Sequence, residues 1–256
     1  MLSSSIELHA VTGLPMVVAG QDLATLLGDA LAAGTLRPRA GDVLVVAQKI
    51  VSKAEGRTVD VATVVPSAAA AQLGAEISKD PRLVEIVLSE SRRVVRARLN
   101  LLIVEHKLGF VMANAGVDQS NVAPDDGVQR ALLLPVDPDG SAEALRARLS
   151  ERFGVRLAVI ISDSFGRAWR RGTVGVAIGV AGLPALIDLR GQPDLFGRTL
   201  EVSIIGFADE IAAAASLLQG QAAEARPVVL VRGLDWTAPD APASALLRPD
   251  TEDLFR

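Results

Sequence analysis

Apolar residues occur along this chain in short runs that give way to polar tips. The most regular run is VRLAVII at 155–161, which yields to Ser162-Asp163-Ser164. It is too short for a membrane span and rich enough in β-branched residues to predict a buried strand. Residues 43–46 (VLVV) predict a second buried strand, continued by the polar Gln48, Lys49, Ser52, Lys53 and Glu55. A hairpin predicted from 101–104 and 110–112 around Lys107-Leu108-Gly109 leads into ANAGVDQSNVAPDDG, a polar loop carrying Asp118, Ser120 and Asn121. Each of these apolar strands ends in a hydrophilic tip. A rigid element ending this way aims a side chain while leaving it open to a ligand.

The remaining pattern fills in the architecture. Further strands are predicted at 6–11, 132–136, 200–205 and 227–231. Asp22 opens a helix with Leu23, Leu26, Leu27, Ala30 and Leu31 on one face, closed by Gly34. Residues 67–79 are Ala-rich and helix-compatible, and Asp80-Pro81 supplies a cap and first-turn proline for a helix through Ser89. Ser141 is expected to cap a helix that buries Leu145, Leu149 and Phe153 and stops at Gly154, and Asp209-Glu210 opens another over 208–218. Basic and apolar residues alternate imperfectly over 92–98, and His106, at the hairpin turn, is expected to be exposed. Asp125-Asp126-Gly127 reads as a turn, and the segment with Pro239, Pro242 and Pro249 as a surface-wrapping tail. No repeat or linker marks a domain boundary.

Composition narrows the function. The 256 residues are 50% hydrophobic but only 3% aromatic, so the core is expected to be aliphatic. A net charge of −4 and a pI near 5.3 argue against a general nucleic-acid binder. With no cysteine and two histidines, a metal would be held mainly by oxygen, which suits magnesium or manganese. The start of the chain has neither a basic nor an apolar leader region, which predicts a cytoplasmic, soluble protein. No Walker A pattern occurs, and Gly172, Gly175, Gly179 and Gly182 lack the dinucleotide-binding spacing.

Candidate chemistry concentrates at 155–201. Asp163 lies between two hydroxyls, and Arg167, Trp169, Arg170 and Arg171 follow, a combination suited to an anion together with a cation. The same residues also fit a turn whose carboxylate bonds backbone amides, next to a solvated arginine face and a partly buried structural tryptophan. Lys53 is equally compatible with a surface lysine, and 113–127 with an Asx-rich connection.

Taken together, GDVLVVAQKIVSKAEGR, NAGVDQSNV, SDSFGRAWRRGTVGVAIGVAG with DLRG and FGRTLE, and ADEIAAAASLLQG followed by PVVLVRG resemble the coenzyme F420-0:L-glutamate ligase family over residues 14–233. The resemblance implies an α+β fold of two interleaved subdomains with mixed sheets and flanking helices. It also implies one ligase domain over 1–256 without a C-terminal nitroreductase-like domain, and a homodimer with its site between subunits. The implied activity is GTP-dependent attachment of L-glutamate to F420-0 through an acyl phosphate, then γ-linked glutamate addition to F420-1. Manganese or magnesium would be required, with potassium as a further cation. It places divalent metal on Asp118, Asp163, Ser164 and Gln221, and GTP on Leu14, Pro15, Met16, Val17, Gln48, Lys53 and Asn121; catalysis would rest on Asp163, Lys53 and Asp118. Ala168, where proline is expected, and Gln48, at a frequent Ser or Thr position, depart from the pattern. A dimer is also expected because apolar residues 172–189 need a cover. Two other readings remain open: a related metal-dependent nucleotide-using enzyme acting on another carboxylate, and a non-catalytic nucleotide- or deazaflavin-binding protein.

Overall fold

The apolar runs at 43–46, 158–161 and 228–231 pair with one another in the centre of a mixed sheet. A computed structural model describes residues 5–122 and 126–253; Asp125, part of the expected turn, lies outside them. The elements are β1 (Glu7–Ala10), α1 (Leu23–Ala33), β2 (Val43–Ala47), α2 (Gln48–Ala54), β3 (Thr58–Asp60), α3 (Ala68–Ile77), α4 (Pro81–Ser89), β4 (Ser91–Arg98), β5 (Leu101–His106) and β6 (Val111–Ala113). They continue with β7 (Arg130–Leu132), α5 (Pro138–Phe153), β8 (Ala158–Arg167), β9 (Arg170–Ala181), β10 (Ile187–Asp188), β11 (Ile204–Ile205), α6 (Phe207–Gln219) and β12 (Val228–Arg232).

The main sheet has the order β1-β12-β2-β8-β9; β2 and β8 run parallel and the other pairs antiparallel. Alternation decides which layer each side chain joins. Leu44, Val46, Val159, Ile161, Val228 and Leu230 pack with α1 and α5, whereas Val43, Val45, Ala158, Ile160, Val229 and Val231 pack with α6. Strands covered on both faces need no polar alternation, which is why they read as continuous apolar runs. Between α2 and α5 the chain builds a smaller unit: the sheet β4-β5-β6 against α3 and α4, beside the β3-β7 pair. The fold is α+β, with that smaller unit inserted in the larger.

The middle of the 172–189 segment is covered within the chain, contrary to expectation. Ala177, Ile178, Val180, Ala181, Leu183 and Ala185 are all buried. A Cβ at Gly175 would strike the carbonyl of Ala212 in α6, and one at Gly179 the carbonyl of Pro138 in α5, so bare glycines let β9 lie against both helices. Those helices also satisfy the outer edge of β9. Asp209 Oδ1 accepts from the Ala177 amide and Asp139 Oδ1 from the Val180 amide, each at 2.8 Å. Carboxylates on an edge amide leave nothing for a further strand to pair with there.

Other expectations need correction. The α5 cap is Asp137, which accepts from the Gly140 amide, with Pro138 in the first turn; Ser141 lies inside the helix and donates to Glu55. The strand expected at 132–136 ends at Leu132, because beyond it the backbone turns to Arg57, and the one expected at 200–205 shrinks to Ile204–Ile205. His106 is 2% exposed rather than solvated: it is the last residue of β5 and points inward, like Leu102 and Val104. Trp169, at the β8–β9 turn, is 80% exposed rather than partly buried. Among the described residues, no helix is long and apolar enough to cross a membrane.

Candidate functional site

The polar tips meet where β2 ends. Ala47 pairs with Ser162, and one residue further on the chain leaves β2 for α2 while β8 continues beside β9 alone. Ser162, Asp163 and Ser164 therefore lie within β8, not past its end, and pair with Ala177, Val176 and Gly175. A register shift between Ile161 and Ser162 changes the alternation there. The strand was expected to stop because its apolar run stops, but β9 supplies backbone partners as far as Arg167.

This junction is the floor of a cavity of about 390 Å³. Its lining includes residues 14–17, Gln48, Lys53, Asn121, Asp163, Ser164 and Gln221, which is every residue expected to hold metal or GTP except Asp118. The 14–20 segment is held over α2 by the Gly20 amide on the Ala54 carbonyl and by Gln21, whose Oε1 accepts from the Val18 amide. Val17 is buried beneath while Met16 stays exposed. The opposite wall is the 220–227 loop after α6.

Gln48 and Lys53 project from α2. Gln48 is buried, accepts from Ser52 Oγ at 2.9 Å, and hydrogen-bonds the Asp163 carboxylate. Lys53 Nζ donates to the Asn121 carbonyl at 2.6 Å, and Asn121 Nδ2 donates to the Ala222 carbonyl at 3.0 Å, joining three walls of the cavity. Lys53 is buried rather than a surface lysine. Desolvation, with Lys49 nearby, draws its pKa below the ordinary lysine value.

The two carboxylates are tuned in opposite directions. Burial pushes Asp163 up to about 6; the Ser164 amide opposes this, the Asp118 charge reinforces it, and Lys49 and Gln48 oppose it. Burial also acts to raise Asp118, but the Lys49 ammonium and the Ser120 amide outweigh it and hold that carboxyl below its usual range. Lys49 Nζ is 2.7 Å from Asp118 Oδ2, and the Ser120 amide donates to Asp118 Oδ1 at 2.7 Å. Asp118 thus reaches the cavity through Lys49. The donors on offer are two carboxylates, a hydroxyl and an amide oxygen, all hard ligands that suit magnesium or manganese. Among the described residues no three His, Asp or Glu side chains converge.

Lys49, Gln219 and Arg226 were not among the candidates, yet all line the cavity. Gln219 bonds the Ser162 hydroxyl at 3.5 Å and the carbonyls of Val45 and Pro227 at 3.4 Å, closing the back of the junction. Lys49 could have been found: it follows the same apolar strand as Gln48 and Lys53. Arg167, Arg170 and Arg171 lie at the far end of the β8–β9 hairpin, outside the lining.

The family model for F420-0:Gamma-glutamyl ligase matches residues 13–233. A protein named Coenzyme F420:L-glutamate ligase in Methanothermobacter thermautotrophicus is 47% identical over 253 residues, spanning 98% of this chain and 99% of its own length. Proteins of the same name in Archaeoglobus fulgidus and Methanocaldococcus jannaschii are 44% and 43% identical. Their alignments span 98% and 84% of this chain, and 96% and 85% of those proteins.

Proposed function

Because the chain belongs to the F420-0:Gamma-glutamyl ligase family, we propose that it attaches L-glutamate to coenzyme F420-0 at the β2–β8 junction, using GTP and a divalent cation. The observation that carries this reading is the convergence in one cavity of a buried lysine, a carboxylate of raised pKa and the 14–17 and 220–227 walls. These elements are far apart in sequence, and each brings a group suited to anionic reactants.

The chemistry explains the combination. A carboxylate does not condense with an amine at neutral pH, so one of its oxygens first attacks the γ-phosphorus of GTP, and the bond to the β-phosphate oxygen breaks to release GDP. The amine of glutamate then attacks the acyl carbon, phosphate departs, and the amine loses a proton to leave the amide. Both reactants of the first step are anions, so charge compensation is the main demand. Lys53, fixed by Asn121, meets phosphate as a point charge. Asp118, Asp163, Ser164 and Gln221 would hold the divalent ion, which would supply positive charge to offset that of the phosphates. Gln48 orients the Asp163 carboxylate from the start of α2. The protein acts as a homodimer in this reading.

Incubation with F420-0, glutamate, GTP and manganese, followed by mass analysis, should yield the glutamylated coenzyme with stoichiometric GDP and phosphate. Trapping with hydroxylamine, glutamate withheld, should give the hydroxamate of F420-0. GDP formation without either product would point to another carboxylate substrate; absence of both GDP and product would leave a binding protein.

A further inference from the structure

Lys49 links the two parts of the fold at their most charged point. It is the second residue of α2, which follows the central strand β2, yet its Nζ lies 2.7 Å from Asp118 Oδ2, 2.8 Å from Ser120 Oγ and 3.3 Å from the Ser120 carbonyl, all in the turn after β6 in the smaller unit. Both partners of the ion pair are about one-third exposed, so water and small ions reach it. It also lies close enough to act electrostatically on Asp163 and Lys53. Two carboxylates close enough to act on one another in a partly desolvated cleft repel, and a cation held against one of them relieves that repulsion.

We propose that Lys49 is a built-in counter-ion that neutralises the Asp118–Asp163 pair in the metal-free protein and is displaced from Asp118 when a divalent cation binds. It is a positioning residue: it holds the Asp118 carboxylate against the start of α2 and closes the cleft between α2 and the 118–121 turn until metal replaces it. The released ammonium stays in the cavity lining beside Lys53, where a phosphate would meet two lysines instead of one. This inference rests on the metal reading given above.

Its sign separates it from a merely structural role. If Lys49 only shaped the site, removing it would weaken metal binding; if it competes with metal, removing it strengthens binding. Manganese titrations read from the EPR signal of the free ion, with GTP present and absent, should show Lys49→Met binding about tenfold more tightly than wild type, one close charge pair's worth. Lys49→Arg should remain near wild type. In chelator-treated protein, Lys49→Met should lower Tm, and adding Asp118→Asn in that background should recover much of the loss, since one of the two like charges is gone. Equal or weaker manganese binding by Lys49→Met, or no recovery in the double variant, would overturn the inference and leave the metal reading standing. Failure of wild type to retain manganese even with GTP would overturn the metal reading itself, and this inference with it.

Discussion

Asp163 and Glu90 are both partly withdrawn from bulk water, yet the charged groups around them are assembled on opposite terms. Glu90 receives Arg57 at 2.7 Å, with Lys107 at 3.6 Å and the His106 ring at 3.8 Å. Arg57 also donates to the Leu134 carbonyl, and His106 Nδ1 accepts from the Leu108 amide. Opposite charges are matched there, and the cluster lines none of the main cavities. Around Asp163, the Asp118 charge acts against it, the Lys49 and Lys53 ammonium groups act against one another, and Asp163, Lys49 and Lys53 all line a cavity. A matched cluster ties elements together; a mismatched one beside a cavity stores unmet electrostatic demand that a ligand can satisfy. Burial of charge therefore does not identify a site by itself.

The sharpest way to break this contrast is to remove one carboxylate from each cluster. Asp163→Ala should lower turnover about 10³-fold or more while Tm holds or rises, because this carboxylate would hold the cation that offsets the phosphate charges and does not hold the fold together. Glu90→Leu should do the reverse. It strands Arg57 in a half-buried position, costing about 3 kcal/mol in chemical denaturation, and leaves activity per folded molecule unchanged. A Glu90 variant that folds normally but loses turnover would dissolve the distinction.

The two clusters should also respond to acid with opposite signs. Asp163 binds its proton more tightly folded than unfolded, so its contribution is fully present below pH 3.8 and is lost as pH rises through about 6. His106 is depressed from 6.5 to about 4, chiefly by burial, with the Glu90 charge opposing. Its contribution is present above pH 6.5 and lost as pH falls through about 4. Each amounts to about 3 kcal/mol, so in metal-free wild type they largely cancel between pH 4 and 6.5. Asp163→Asn should expose the His106 slope, with stability rising as pH rises. His106→Gln should expose the Asp163 slope, with stability falling. Denaturant midpoints across that range check both, and parallel profiles for the two variants would contradict the assignment.

The smallest effect concerns Lys53. Lys53→Ala should weaken GTP about 10- to 100-fold by calorimetry, the worth of one charge-assisted contact, and F420-0 much less. Equal losses would remove its assignment to the nucleotide.

Local signals were legible along the chain where local chemistry decides. Asp22 and Asp80 open their helices as the sequence suggests, because an N-cap needs only a side chain within reach of the next amides. The runs at 43–46 and 228–231 are strands because both faces are covered. What escaped depends on partners distant in sequence. β8 runs on through Asp163 because β9 folds back on it, and His106 is buried because α3 and α4 cover that face of β5. The 172–189 segment looked uncovered because nothing local marks α5 and α6 as its lids. The site residues were named from motif resemblance; the role of Lys49 required the Asp118 turn to be seen against α2.

The central claim is that this cavity activates a carboxylate by phosphoryl transfer, and the most direct measurement follows an oxygen atom. F420-0 labelled with oxygen-18 in its carboxylate, turned over with GTP, manganese and glutamate, should deliver one labelled oxygen into each inorganic phosphate released. Asp163→Ala should deliver none above background. Unlabelled phosphate formed alongside normal amounts of glutamylated coenzyme would contradict the account.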